Sequence, residues 1–228
     1  MDNVFFSKNV IIVAGGKGLR MGTDIPKQFL EVGGLPVLMR TILCFTEYDA
    51  NINIILVLPR DQQDYWKELC EKYCFDAECT VVDGGDTRFQ SVKNGLAAIP
   101  DDEEGLVAVH DGVRPFVSRD VIENSFDTAE EKGTAIPVLP VIDTLRDITT
   151  GHTVPRANYR AVQTPQVFNL TLLKDAYNCP FNENFTDDAS VVEAFGKEVT
   201  LVDGNTENIK LTTLYDLRIA ELFVEDFK

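Results

Sequence analysis

Along the first half of the chain, short apolar runs alternate with stretches whose apolar positions recur at helical spacing. Val10–Ala14 (VIIVA) is an unbroken, β-branched run, which predicts a strand covered on both faces. Pro36–Phe45 reads as a helix with proline near its first turn, Ile52–Leu58 as a second strand, and Asp61–Tyr73 as a helix opened by Asp61. Cys79–Val82 and Leu106–Val109 are further strands. Asp86–Ile99, with Phe89, Val92, Leu96 and Ile99 on one side, and Ser118–Lys132, capped by Ser118, are further helices.

This alternation predicts right-handed βαβ units. The expected fold is therefore α/β: a Rossmann-like, mostly parallel sheet with helices on both faces. Ligands on such sheets bind beyond the carboxyl ends of the strands. Here those ends are Gly15-Gly16, Pro59-Arg60, Asp83-Gly84-Gly85 and His110-Asp111-Gly112. After Thr134 the pattern changes to extended pieces with Pro137, Pro140 and Pro155 and a turn at Thr150-Gly151, which predicts a protruding β-hairpin arm at about 135–164. Helices resume at Leu170–Ala176 and Asp187–Phe195, followed by a strand at Val199–Val202 and a last helix at Thr213–Phe223. The 228 residues are expected to form one domain.

Charge sharpens the functional expectation. The formal net charge is −16, which disfavours nucleic-acid or anionic-membrane binding. Yet residues 1–40 hold five basic side chains (Lys8, Lys17, Arg20, Lys27, Arg40) against three acids, a cationic spot suited to a small anion. There is no apolar run of membrane-spanning length and no signal-peptide pattern, so a cytoplasmic location is expected. The five cysteines lack zinc-site spacing and read as ordinary thiols. With only His110 and His152 present, histidine-dependent catalysis has little support.

The loop AGGKGLRMGTDIPKQF (Ala14–Phe29) follows the first strand directly. Gly15, Gly16 and Gly18 allow a sharp turn that exposes backbone N–H groups, while Lys17, Arg20 and Lys27 surround it with charge. A Walker A loop is absent, and the glycine spacing departs from the dinucleotide fingerprint, with Pro26 interrupting any following helix. A plain tight turn is the alternative, but three cations in eleven residues of an acidic chain favour phosphate.

A-G-G-x-G-x-R-M followed by P-K-Q resembles the signature loop of sugar nucleotidylyltransferases. VDGGDTRFQSV (82–92), VHDGVRP (109–115), PVIDT (140–144), QTPQVF (163–168), TDDAS (186–190) and ENIKLT (207–212) follow in order. They narrow the resemblance to the cytidylyltransferase family that acts on 2-C-methyl-D-erythritol 4-phosphate in non-mevalonate isoprenoid synthesis.

That resemblance implies joining CTP to a polyol phosphate with release of pyrophosphate, with Mg2+ as cofactor. Arg20 and Lys27 would stabilise charge on the α-phosphate and the leaving group. Ala14, Gly15, Gly16, Gly18, Gly85, Asp86 and Ser91 would hold the nucleotide, and Asp111 the metal. Arg114, Thr144, Arg156, Thr164, Thr186 and Lys210 would surround the sugar phosphate, Arg156 and Lys210 orienting its attack. In the family such an arm crosses a dimer interface, so the resemblance also implies a homodimer in which the arm completes the neighbour's site. Without the motifs, Asp111 would read as a loop cap, Ser91 as a packing residue, Arg156 as a solvated cation and Lys210 as a strand-edge lysine. His110 reads as a strand-end packing residue. Competing functions are a cytidylyltransferase for ribitol 5-phosphate and a non-catalytic CTP sensor.

Overall fold

The unbroken apolar run near the N-terminus becomes β1 (Ser7–Val13), and the reason for its composition is visible in how it is covered. Val10 and Ile12 face one core layer and Ile11 the opposite one, all fully buried, so the centre of the strand is apolar on both faces. The computed structural model describes residues 6–16 and 25–226. Lys17, Gly18 and Arg20 therefore lie outside the described residues.

After a single 3-10 turn at Lys27–Phe29 come a small ribbon, β2 (Glu31–Val32) and β3 (Leu35–Pro36), and then α1 (Val37–Tyr48). The chain continues as β4 (Asn53–Leu58), α2 (Gln63–Tyr73), β5 (Thr80–Asp83), α3 (Arg88–Ala97), β6 (Gly105–Asp111) and α4 (Arg119–Lys132). Ser118 caps α4 by accepting from Val121 N, as its position suggests. Asp61 does not cap α2, because a 3-10 turn at Arg60–Gln62 intervenes and the helix starts at Gln63. The α3 cap is Thr87, which accepts from Gln90 N, so that helix begins two residues later than the pattern suggests.

The remaining elements are β7 (Thr134–Pro140), β8 (Leu145–Arg146), β9 (Thr153–Val154), β10 (Arg160–Val162), β11 (Gln166–Asn169), α5 (Leu170–Ala176), α6 (Asp188–Ala194), β12 (Leu201–Asp203) and α7 (Leu214–Asp226). The main sheet runs β10-β7-β11-β6-β1-β4-β5, with β12 also on β7. Pairings β1–β4, β1–β6, β4–β5 and β7–β12 are parallel, while β10 and β11 run antiparallel to their neighbours.

Two expectations change here. The arm does not begin at residue 135. β7 belongs to the main sheet, where Ala135 and Ile136 are buried, and only residues 141–159, with the β8–β9 ribbon, protrude. The second change is β11, a four-residue strand inserted antiparallel between β6 and β7. It is too short to show a period, and its neighbours are chosen by long-range pairing.

Helices α1, α2 and α4 cover one face through Leu38, Ile42, Trp66, Ile122 and Phe126, and α3 and α5 cover the other through Val92, Leu96 and Leu173. Contact on the α3 side is close at Gly95, where a Cβ would lie 2.7 Å from Ile11 Cγ2 and 3.2 Å from Val57 Cγ2. Gly95→Ala is therefore expected to lower stability by about 1–3 kcal/mol through overpacking, read as a depressed melting temperature. An unchanged melt would show that α3 can shift freely. Among the described residues no helix is long and apolar enough to cross a membrane.

Candidate active site

All four strand ends marked by glycine or charge in the sequence converge. Backbone hydrogen bonds carry the strand pairing past the strand ends: Ala14 N to Val57 O (3.0 Å), Gly84 N to Leu58 O (2.8 Å) and Gly112 N to Val13 O (2.9 Å). The result is a cleft of about 440 Å3 lined by Ala14–Gly16, Lys27, Pro59, Arg60, Gly84–Arg88, Ser91, Asp111 and Lys210, among others. A smaller hollow of about 280 Å3 adjoins it, lined by Arg88, Asp111, Arg114, Val162–Thr164, Gln166, Thr186, Asp187 and Lys210. Arg88, Asp111 and Lys210 border both.

On the larger side, Gly15 and Gly16 are exposed at the base of the loop, and a Cβ on Gly16 would approach Lys27 Cε to 3.1 Å. Glycine there leaves the lysine room beside Gly16. Gly85 is needed for a similar reason, because a Cβ would sit 2.3 Å from Gln90 Cγ and 3.1 Å from its carbonyl carbon. Ser91 is not a surface serine. Its Oγ accepts from Gly85 N (3.0 Å) and donates to Thr87 O (2.9 Å), which fixes the turn that forms the cleft wall. Asp86 is exposed on that wall.

Asp111 sits at the junction, 8% exposed. Its Oδ2 accepts from Arg114 Nε (3.1 Å) and Lys210 Nζ (3.0 Å). Burial by itself would raise this carboxyl, but the Lys210, Arg88 and Arg114 cations outweigh it and hold it well below the usual carboxylate range. Among the described residues no three His, Cys, Asp or Glu side chains cluster as a metal cage. One ionised carboxylate facing a phosphate-sized cleft does suit Mg2+, which binds through one or two carboxylates plus substrate phosphates.

His110 is fully buried, with its ring edge-on to Phe45. Nε2 lies 3.0 Å from Arg114 O, which can only accept, so Nε2 carries the proton. Nδ1 then accepts from the Thr164 hydroxyl at 3.1 Å. Burial pushes the imidazole down to about 4. The unfolded ring binds protons near 6.5, so His110 makes stability fall as pH drops from about 6.5 toward 4. Its ring resonances are expected to stay those of a neutral imidazole from pH 8 to 5. Titration near 6.5 would mean that the burial is not retained.

The predicted residues thus divide. Ala14, Gly15, Gly16, Lys27, Gly85, Asp86, Ser91, Asp111 and Lys210 line the larger cleft, and Arg114, Thr164 and Thr186 line the hollow beside it. Besides lining the hollow, Thr164 accepts at its hydroxyl from Asp111 N (3.1 Å) and is engaged with His110. It secures the strand end that carries Asp111. Thr144 and Arg156 lie on the arm, exposed, and line neither cavity of their own chain; the Arg156 guanidinium donates to Ile142 O. Arg20 and Gly18 fall outside the described residues.

Sequence reasoning missed Gln28, Arg88, Gln166 and Asp188. Gln28 is fully buried and donates from Nε2 to Ala14 O (2.9 Å) and Gln62 Oε1 (2.6 Å), which pins the start of the loop. It stands next to Lys27 in P-K-Q, and its burial depends on partners at Ala14 and Gln62 that no local pattern signals. Arg88 and Asp188 pair across 100 residues, which no local pattern signals.

A family model described as 2-C-methyl-D-erythritol 4-phosphate cytidylyltransferase matches residues 9–226. A protein of that name from Phocaeicola vulgatus is 60% identical over 220 residues, covering 96% of this chain and all of its own. Its namesake from Bacteroides thetaiotaomicron is 59% identical over 215 residues, covering 93% and 97%. The crystal structure of 4-diphosphocytidyl-2C-methyl-D-erythritol synthase from Anaerococcus prevotii is similar with a TM-score of 0.82 at 31% identity, covering 96% of each chain.

Proposed function

The chain belongs to the 2-C-methyl-D-erythritol 4-phosphate cytidylyltransferase family, and from that premise we propose that it joins CTP to 2-C-methyl-D-erythritol 4-phosphate, giving 4-diphosphocytidyl-2-C-methyl-D-erythritol and pyrophosphate. The supporting observation is the pair of adjoining cavities that share Arg88, Asp111 and Lys210, since two phosphate-bearing substrates must meet along one cationic wall.

An acceptor phosphate oxygen attacks the α-phosphorus of CTP, forming a new P–O bond as the bond to the β-phosphate oxygen breaks and pyrophosphate departs. The acceptor is largely a dianion at neutral pH, with a second pKa near ~6, so no general base is required. His110 is consistent with this, because both ring nitrogens are engaged inside the protein. Catalysis is then positioning plus charge stabilisation. Lys27, with Arg20, neutralises charge on the α-phosphate and the leaving group. Gly15, Gly16 and Gly85 present backbone to the nucleotide, with Ala14, Asp86 and Ser91 forming the surrounding wall. Lys210 and Arg114 steer the acceptor phosphate toward the junction. Asp111 is the residue that would hold Mg2+, which would supply positive charge to offset that of the substrate phosphates.

The exposed arm supports a homodimer. Ile142 and Ile148 are 80% and 95% exposed on it, apolar surface that a second copy would cover. Thr144 and Arg156 then serve the neighbour's acceptor site. Arg156→Ala is expected to raise the acceptor KM about tenfold or more while CTP affinity persists, the pattern of a lost contact to one substrate. An unchanged acceptor response removes the arm from the site, and a monomer by analytical ultracentrifugation removes the dimer. The reading as a whole is tested by pyrophosphate release with CTP, Mg2+ and competing acceptors. A strong preference for ribitol 5-phosphate would replace the acceptor, and CTP binding without pyrophosphate release would make the protein a sensor.

A further inference from the structure

Arg88 is the first residue of α3 and Asp188 the first of α6, and they meet where the two cavities join. The guanidinium forks onto the carboxylate, Nη1 to Oδ1 at 3.0 Å and Nη2 to Oδ2 at 2.5 Å. Asp188 is fully buried, and its Oδ1 also accepts from Tyr177 Oη at 2.7 Å. The Tyr177 ring stacks on Phe89, the residue after Arg88, with centroids 4.7 Å apart. Behind the pair, Gln166 Oε1 accepts from Asp188 N (3.1 Å) and Ala189 N (2.9 Å), while its Nε2 donates to Asp187 Oδ2 (2.8 Å).

The placement is informative because a buried ion pair is a weak source of stability. An apolar pair of similar volume generally serves folding as well or better. This pair joins two walls of different purpose. The residues leading into Arg88, Gly84–Thr87, line the nucleotide side, and those leading into Asp188, Thr186 and Asp187, line the acceptor side. Both Nη atoms bind the carboxylate, and the side chain is 28% exposed toward the cavities. The arrangement therefore fits a fixed member of the wall better than a mobile substrate ligand.

We propose that Arg88 and Asp188 are positioning residues that lock the start of α3 to the start of α6, holding the nucleotide and acceptor phosphate in register for attack. This inference rests on the reading of function above and adds two residues that act through the walls they join. A conserved-charge but non-forking side chain cannot hold both oxygens in one plane, so geometry as well as charge is required.

Two variants test this in the full-length enzyme, each with melting temperature, kcat and both KM values. Arg88→Lys keeps a cation beside the buried carboxylate. Arg88→Met combined with Asp188→Leu replaces the pair with apolar groups. Both are expected to fold, with kcat/KM reduced by about ten- to a hundredfold and both KM values raised, as when outer residues that orient a site are lost. A folded double variant with all constants within about twofold of wild type would reduce the pair to a structural filler and overturn the proposal. A rise in the CTP KM alone would also overturn it, because the two walls would then be independent. If the double variant does not fold, Arg88→Lys decides, and wild-type constants in it count against the proposal. Absence of wild-type turnover with 2-C-methyl-D-erythritol 4-phosphate would instead refute the assigned reaction, and CTP affinity in the same variants would then carry the test. Unchanged affinity in both would overturn the lock.

Discussion

Lys27→Met is expected to lower turnover by about 10²–10³-fold, the usual loss when one preorganised donor to developing transition-state charge is removed, equivalent to about 3–4 kcal/mol. Lys27 sits half-buried in the 3-10 turn after the glycine loop, and Gly16 gives its chain room to lie against the cleft. Methionine keeps most of that apolar stem and removes the ammonium. The fold should hardly notice, because Gln28 and Phe29 supply the buried contacts of this turn. The informative result is therefore a near-normal melt beside a collapsed kcat. Near-normal turnover would exclude Lys27 from leaving-group stabilisation.

Asp111→Asn is expected to cost at least about 10²-fold in turnover together with about 3 kcal/mol or more of stability, since one partner of a buried charge network is removed. Asparagine keeps the shape but leaves Arg114 and Lys210 without their anion. Because the carboxyl is held below its usual range, it contributes stability that is present above about pH 4, the unfolded value, and lost as pH falls through the lower folded value. The stability gap between wild type and variant should thus be widest near neutrality and close on acidification. Denaturant melts at several pH values check the sign, and a gap that widens in acid would overturn the assignment of charge at this site. Excess Mg2+ should not restore the variant, because the donor is gone.

How far these residues could be read in advance depends on the kind of signal each leaves. The glycines and Lys27 announce themselves within one loop of known chemistry. Asp111 stands at a strand end, where α/β sheets bind ligands, so its position follows from strand counting. Thr164 was legible as a site residue, but its task was not, because Asp111 N and His110 reach it from another strand. The arm was legible as an extended, proline-marked stretch. Its starting point was not, since β7 and the arm share the same β character and only pairing with β11 separates them.

The local periods, the βαβ alternation, the capping at Ser118 and the clustering of small and charged residues at the strand ends could all be read from residue order. These rest on interactions within a few positions of the chain. Tertiary structure alone decided that β11 enters antiparallel between β6 and β7, that His110 loses its proton affinity through burial, and that Arg88 finds Asp188. Each of these joins segments tens of residues apart or more, and many such pairings satisfy the same local pattern. Only the packed core, which rejects every arrangement that leaves apolar surface or buried charge uncompensated, selects one of them.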